Sequence, residues 1–302
     1  MEKIKSFFNR NLFEYGKTET PGELIFYKLF ELFIIAYVIH LSFYWGQYVE
    51  RISDVVLPLG LAIYIDVSFM FGNSLPIWNA IIISGLVILG YFRIAPAYTY
   101  SIAMLLFHWQ HVVRFSQGEI PHSANLIGMT LLAFAIAHVF FRESTKTRRF
   151  SLGFVFFFTG LGYTSAGISK FIGTGWNWAD GRHLWMWMSE KSVDILSRTG
   201  SFDFNWLQNL AFEYYWVATI ILLIGWITEF LGFTMWFKKA RIYIFTATIA
   251  MHIGITLTMN IRFDAFLYQL ILLGYPWYKG INYLLKSNSE NNLLVTFSKK
   301  FA

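Results

Sequence analysis

The chain has 302 residues, of which 56% are hydrophobic and only 14% are charged, and its net charge is +6. Soluble domains usually carry about 25% charged residues, so this composition is typical of a protein embedded in lipid. Cysteine is absent, which excludes disulfides, thiolate nucleophiles, zinc sites with cysteine ligands and iron–sulfur clusters.

The basic residues lie in the connections between apolar segments, where they set topology and meet anionic headgroups. We therefore expect membrane lipid as a partner and no nucleic acid. Aromatic residues make up 20% of the chain, more than interfacial belts need, which favours an aromatic-lined interior cavity. The sequence does not predict an oligomeric state.

The apolar segments predict an all-α fold, a polytopic transmembrane helical bundle. Residues 1–21 mix charged and aromatic side chains and lack a small-residue cleavage site, which indicates an amphipathic surface segment and not a signal peptide. Residues 22–280 are predicted to form one transmembrane domain, and 281–302 a polar tail. A membrane span needs about 20 apolar residues. Candidate segments are 22–48, 54–72, 75–92, 96–115, 122–141, 150–171, 207–235, 241–260 and 263–280.

Lys and Arg are concentrated at the N-terminus, in 142–149, around Lys238 and in the tail. By the positive-inside rule all four face the cytoplasm, so an even number of spans must precede 142–149. Segment 54–72 carries Pro58 and Asp66 and is the weakest candidate. We predict that it is re-entrant or buried against protein, where broken backbone is tolerated. About eight spans in the cell membrane then remain, and both termini are cytoplasmic.

The connection 172–206 is rich in tryptophan and continues into the polar run SEKSVDILSR. This pattern predicts a helix lying in the interface, with an ordinary aromatic belt as the alternative. The tryptophans are Trp176, Trp178, Trp185 and Trp187.

A lysine closes the sixth candidate segment and shares one helical face with small residues and a phenol. The members of this stripe are Tyr163, Ala166, Gly167 and Lys170. The simplest interpretation is that Lys170 snorkels to the interface while the small residues pack helices. The functional interpretation is a partly desolvated lysine whose neutral amine acts as a base.

The order of motifs around this lysine resembles that of a known family. Ala166-Gly167-Ile168-Ser169-Lys170-Phe171, followed by Trp178-Ala179-Asp180-Gly181, resembles the Ala-Gly-x-x-Lys-Leu…Trp-x-x-Gly signature of vitamin K-dependent gamma-carboxylases. Their membrane domain is shared with the bacterial HTTM proteins and, more loosely, with the DoxX group. The resemblance implies that Lys170 is the base that deprotonates a hydroquinone, although Ser169 stands where that family has a first lysine. The residues that we predict to contact substrate are Tyr163, Ala166, Gly167, Trp178, Arg114, His252 and Glu229.

Other polar residues fall inside apolar segments, where ionisable groups are functional candidates because they are costly to bury. His108, His111 and Arg114 step by three along the fourth candidate span. Thiolate ligands are absent and carboxylates are scarce nearby, so we predict no metal site. In carboxylase-like families this region borders the cavity beside the lysine, so His108 and His111 are predicted to line it. Asp66 is a candidate proton donor or a cap of broken backbone. For Glu229 and His252, an interhelical hydrogen bond or salt bridge is the structural alternative.

These residues favour a membrane enzyme of the lyase or cyclase type that acts on an isoprenoid or quinone-like lipid, with Lys170 as general base or proton relay. No cofactor is expected other than a quinone or hydroquinone as substrate or cosubstrate. One alternative is a terpene-type cyclase that uses Asp66 or Asp180 as its acid and aromatic faces to stabilise cations. A second is a non-catalytic maturation or immunity partner of a secreted peptide, since fold alone does not determine function.

Overall fold

The computed structural model describes residues 2–52, 54–55, 57–118 and 124–287. Over these ranges the regular structure is helical and no β-strand is present, which confirms the all-α prediction. The helices are α1 (Glu2–Phe8), α2 (Pro21–Glu50), α3 (Leu75–Tyr91), α4 (Pro96–Phe115), α5 (Asn125–Phe140), α6 (Ser144–Thr174), α7 (Gly181–Thr199), α8 (Trp206–Glu213), α9 (Tyr215–Phe230), α10 (Arg241–Met259), α11 (Asp264–Gly274) and α12 (Trp277–Ser287).

Four helical segments are long and apolar enough to cross a membrane, counted over the described residues. They are Pro21–Glu50, Ser144–Ala179, Tyr215–Trp236 and Arg241–Met259. Three shorter apolar helices are Leu75–Tyr91, Asn125–Phe140 and Asp264–Gly274. The chain is thus compatible with a membrane protein, and the number of eight spans stays a prediction.

Contacts between residues divide the chain into two compact units. The first comprises Met1–Val155 and Pro276–Ala302, and the second comprises Phe156–Tyr275. The sequence analysis, which predicted one domain over 22–280, did not anticipate this division. Because α6 contributes to both units, no break in its apolar pattern marks the boundary between them.

In the first unit α2, α3, α4 and α5 pack in chain order. The helix α2 begins sharply because Thr20 and Glu23 form a capping box and Pro21 occupies the first turn. Polar side chains also join the helices: Gln110 donates to the Ser42 carbonyl at 2.6 Å and accepts from Asn79 at 2.7 Å. Such bonds satisfy polar groups that would be costly to bury alone.

The first residues of α6 form ion pairs with the residues around the start of α2. Arg148 forms a two-pronged ion pair with Glu19, and Arg149 lies near both Glu14 and Glu23. The N-terminal segment and the basic connection 142–149 therefore meet at one end of α2. The even number of crossings between them stays a prediction.

Segment 54–72 has no helix of spanning length in its described residues. Two short 3₁₀ turns, Gly60–Ile63 and Ser68–Met70, occupy part of it. Met70 and Phe71 pack against Val49 of α2 and Val113 of α4. This agrees with the prediction of broken backbone held against protein.

Three predicted boundaries differ in the structure. Segment 207–235 is interrupted at Tyr214, whose backbone is extended between α8 and α9. Segment 263–280 ends as α11 at Gly274, because Pro276 disfavours helical geometry in the residue before it. The predicted tail 281–302 begins inside α12, and residues 288–302 lie outside the described part of the chain.

In the second unit α7 packs on α9, and α10 packs on α9 and α11. The Trp-rich connection does contain a helix, α7, which begins at the N-cap Asp180 and ends at the left-handed Gly200. Leu184 and Met188 of α7 are fully buried in a core that includes Ala218 of α9. This packing positions α9, which carries Glu229, and α10, which carries His252.

Candidate functional site

Glycines bring the backbone of α6 into direct contact with the end of α9 and with the 3₁₀ segment Leu231–Trp236 that follows it in the second unit. A Cβ added at Gly167 would lie 2.8 Å from the Phe230 nitrogen, and one at Gly232 would lie 3.0 Å from the Thr164 nitrogen. Backbone atoms cannot move aside as a flexible side chain can, so only glycine fits at these positions. Small residues of this kind permit the closest packing between apolar helices. The contact sets the distance between the side chains that follow on each helix.

Lys170 forms an ion pair with Glu229, one turn beyond the contact at Gly167. The side chains are 26% and 12% exposed, respectively, so the pair is largely removed from solvent. The Lys170 ammonium also lies 5.1 Å from the centroid of the Trp178 ring, within range of a cation–π interaction. Lys170 therefore does not simply extend into the interface: it is held between a carboxylate and an indole.

Tyr163 and His252 form a second pair, with 2.5 Å between the phenol oxygen and Nε2 of the imidazole. Phe263 and Phe266 pack around the same imidazole, with ring centroids at 4.8 and 5.4 Å. His252 is buried, and its Nδ1 makes no hydrogen bond among the described residues. A buried polar atom without a partner is unusual and calls for an explanation.

The two pairs follow one face of α6, because Tyr163 and Lys170 lie seven positions apart on that helix, about 10 Å along its axis. The Lys170–Glu229 pair and the Tyr163–His252 pair together are the polar cluster of the second unit.

Aromatic rings flank this cluster. Phe171 stacks on Trp226 at 5.8 Å, and Trp176 meets Trp226 edge to face at 5.3 Å. The Trp226 indole N–H donates to the Gly167 carbonyl at 2.8 Å. Neither Phe171 nor Trp226 was a predicted site residue. The sequence does carry a signal for Trp226, because it precedes Glu229 by three positions and so shares its helical face.

Of the predicted site residues, the structure brings together Lys170, Glu229, Tyr163, His252, Trp178 and Gly167. Ala166 is half-buried on the same helix. The lysine and the glutamate are 59 positions apart, and the tyrosine and the histidine 89. Their pairing is therefore a tertiary feature that the stripe on α6 alone does not predict.

The remaining predicted residues belong to the first unit. His108 is exposed, and the half-buried His111 packs on Trp45 at 5.5 Å. Arg114 is buried, with its guanidinium 4.2 Å from the Tyr48 ring centroid. Within the described ranges no three His, Asp or Glu side chains are grouped as metal ligands. That His108 and His111 line one cavity with Lys170 stays a prediction.

The two aspartates considered as acids are both held ionised. Hydrogen bonds from the Ser68 side chain and backbone N–H keep the pKa of the exposed Asp66 carboxyl below its ordinary value. Hydrogen bonds from the side chain and backbone N–H of Arg182, and then from Tyr215, hold the pKa of Asp180 well below its ordinary value. A general acid must carry its proton at working pH, so both contacts oppose that role. Asp180 is the N-cap of α7, and Asp66 accepts the Ser68 backbone N–H in the irregular segment.

Comparisons with models of known protein families, with curated proteins and with solved structures found no match to this chain. The resemblance to the gamma-carboxylase and HTTM families therefore stays a prediction based on the motifs around Lys170.

Proposed function

We propose that this chain is a multi-pass membrane enzyme whose second unit transfers a proton to or from an isoprenoid or quinone-like lipid. The observation that carries the proposal is the Lys170–Glu229 ion pair beside the Tyr163–His252 pair, flanked by aromatic rings. Titratable side chains that are paired with one another in an apolar site are typical of acid–base catalysis.

The chemistry follows from proton exchange within the ion pair. Lys170 donates its hydrogen bond to Glu229, so the proton can pass to the carboxylate and leave a neutral amine. The neutral Lys170 amine can then remove a proton from a substrate hydroxyl or an activated C–H, and Glu229 holds the proton that the lysine released.

The Tyr163–His252 pair is suited to orienting the substrate. Because Nε2 of His252 is engaged by Tyr163 while Nδ1 makes no hydrogen bond among the described residues, Nδ1 is available to a substrate oxygen. Phe263 and Phe266 would surround an apolar chain beside that oxygen. A lipid with an uncharged oxygen-bearing head fits these groups, because Glu229 already balances the charge of Lys170.

We further propose an arrangement in the membrane. The crossings are α2 to α6 and α9 to α11, α7 lies in the interface, and the N-terminal end of α2 is cytoplasmic because basic residues gather there. The 11 residues of α11 reach only about 17 Å at 1.5 Å per residue. That crossing must therefore include the extended residues on either side of the helix.

The test uses mass spectrometry to compare lipids extracted from four kinds of membrane. These contain the wild type, Lys170→Ala, Lys170→Arg or no protein. We expect a lipid conversion that depends on the wild type and falls about 100-fold or more in both variants, the usual effect of losing a general base. Arginine keeps the charge and can still pair with Glu229, but its guanidinium does not deprotonate.

The matched control is Lys146→Arg, because Lys146 forms an exposed ion pair with Glu143 at 2.8 Å. This variant should convert lipid as the wild type does. Full conversion by Lys170→Arg would refute the base assignment and favour the snorkelling interpretation. Identical lipid profiles with and without the wild type would refute the enzyme itself and favour a non-catalytic partner.

A further inference from the structure

Hydrogen bonds join the helix α12 to the first turn of α2 within the first unit. Asn282 accepts from the Gly22 N–H at 2.9 Å and donates to the Thr20 hydroxyl at 3.0 Å. A Cβ added at Gly22 would lie 2.5 Å from the Tyr278 carbonyl oxygen, so the two backbones are in close contact. The face of α12 that carries Asn282 therefore packs against the N-terminal turn of α2.

This attachment sets the depth of α12. The helix α2 is one of the four candidate spans, and it begins at Pro21. The first turn of a membrane span lies where the hydrocarbon core gives way to headgroups. Since Asn282 bonds to that turn, α12 lies at the level of the headgroups.

The exposed half of α12 runs from Lys279 and Lys286, which flank Asn282 on the helix surface, round to Trp277 and Leu284, and it combines basic, aromatic and aliphatic side chains. Tyr283 is 74% exposed and Leu284 is 57% exposed, and Trp277 is also exposed. Lys279 and Lys286 are exposed and lie four positions before and three after Tyr283, which places all three on one side of the helix. Tyrosine and tryptophan are enriched at the headgroup level, and lysines there attract anionic lipid.

The carboxylates near the N-terminal end of α2 are neutralised by basic side chains, so they do not repel an anion there. Glu19 is paired with Arg148, and Glu23 is paired with Lys17 and lies near Arg149. Among the described residues, these ion pairs balance one another, so Lys279 and Lys286 of α12 add positive charge to the exposed surface.

We propose that the outward face of α12, formed by Trp277, Lys279, Tyr283, Leu284 and Lys286, binds anionic phospholipid headgroups of the membrane leaflet at the N-terminal end of α2. Leu284 and the two rings enter the boundary with the acyl chains, and the lysines bind the phosphates. This proposal does not depend on the chemistry at Lys170.

The absence of cysteine from the chain allows a clean test. A fluorophore is attached to a Leu284→Cys variant of the full-length protein in mixed phosphatidylcholine and phosphatidylglycerol vesicles. Quenching is measured with either lipid carrying a spin label near its headgroup. We expect labelled phosphatidylglycerol to quench more strongly than labelled phosphatidylcholine. Adding Lys279→Gln and Lys286→Gln should reduce that preference about five-fold per lysine, from roughly 1 kcal/mol for each basic residue near an anionic surface.

The matched control removes two charges elsewhere, as Lys238→Gln with Lys239→Gln in the connection before α10, and should keep the preference. Equal quenching by the two lipids would overturn the selectivity for anionic headgroups. A fluorophore that neither lipid quenches, and that an aqueous quencher reaches, would overturn the membrane contact itself. A second site, Tyr283→Cys, repeats the measurement should labelling at 284 disturb the helix.

Discussion

At the scale of single residues, the main finding is that Lys170 has a specific partner. In the sequence it is one polar residue at the end of an apolar helix, and snorkelling explains it adequately. In the structure Glu229 and Trp178 both approach its ammonium. An ion pair of this kind gains little net stability over apolar residues, because both charges lose hydration. Its cost is therefore more easily explained by chemistry than by folding.

This argument predicts different effects of Glu229 on stability and on activity. Glu229→Gln leaves the Lys170 ammonium without a countercharge and should lower the free energy of unfolding by about 1.5–3 kcal/mol, the usual range for a hydrogen bond to a charged group. The double variant Lys170→Met with Glu229→Leu should regain that stability while remaining inactive, because apolar residues replace the pair. Thermal midpoints in detergent at one scan rate provide the measurement. A double variant as unstable as the single one would show that the pair is structural.

At the scale of elements, the contact between α6 and α9 depends on glycine. At Gly167 an added Cβ meets the backbone of Phe230, whereas at Gly162 on the same helix it meets nothing within 4 Å. Both glycines lie in α6, but only Gly167 faces another helix. Comparing substitutions at the two positions therefore separates the effect of glycine on helix stability from its effect on the packing between helices.

Gly162→Ala should be neutral or stabilising, since alanine favours a helix by up to about 1 kcal/mol over glycine. Gly167→Ala should instead destabilise by about 1–3 kcal/mol, the usual range for forcing an extra group into a packed interface. It should also reduce lipid conversion, because the helices move apart where Lys170 meets Glu229. Thermal midpoints and conversion assays of both variants, made in parallel, test this. Equal behaviour of the two variants would contradict the close contact.

At the scale of the whole molecule, charge distribution predicts the orientation. In the first unit the acidic and basic residues of 14–23 and of 148–149 meet at one end of α2. Lys and Arg beside the ends of membrane spans are typical of the cytoplasmic side, and accompanying Asp and Glu change this little. The connection that contains α7 should then lie on the other side of the membrane.

Single cysteines can test this orientation, with a membrane-impermeant thiol reagent applied to each side. Ser144→Cys at the start of α6 and Ser189→Cys in α7 both replace exposed residues. We expect the reagent to label position 144 only from the cytoplasmic side and position 189 only from the opposite side. Labelling of both positions from one side would refute the arrangement of eight crossings.

The sequence by itself determined the all-α class, the candidate spans at α2, α6, α9 and α10, and the irregular segment 54–72. Those features depend on the length and periodicity of apolar runs and on Pro and Gly, which are local properties. It also identified most members of the polar cluster one at a time.

Only the tertiary structure decided how those members pair. Lys170 with Glu229 and Tyr163 with His252 are contacts over 59 and 89 positions, and no local pattern encodes them. The same holds for the division into two units, which assigns His108 and His111 to a different unit from Lys170. The physical reason is that helix periodicity determines which face a residue occupies, whereas close packing at a few glycines determines which faces meet.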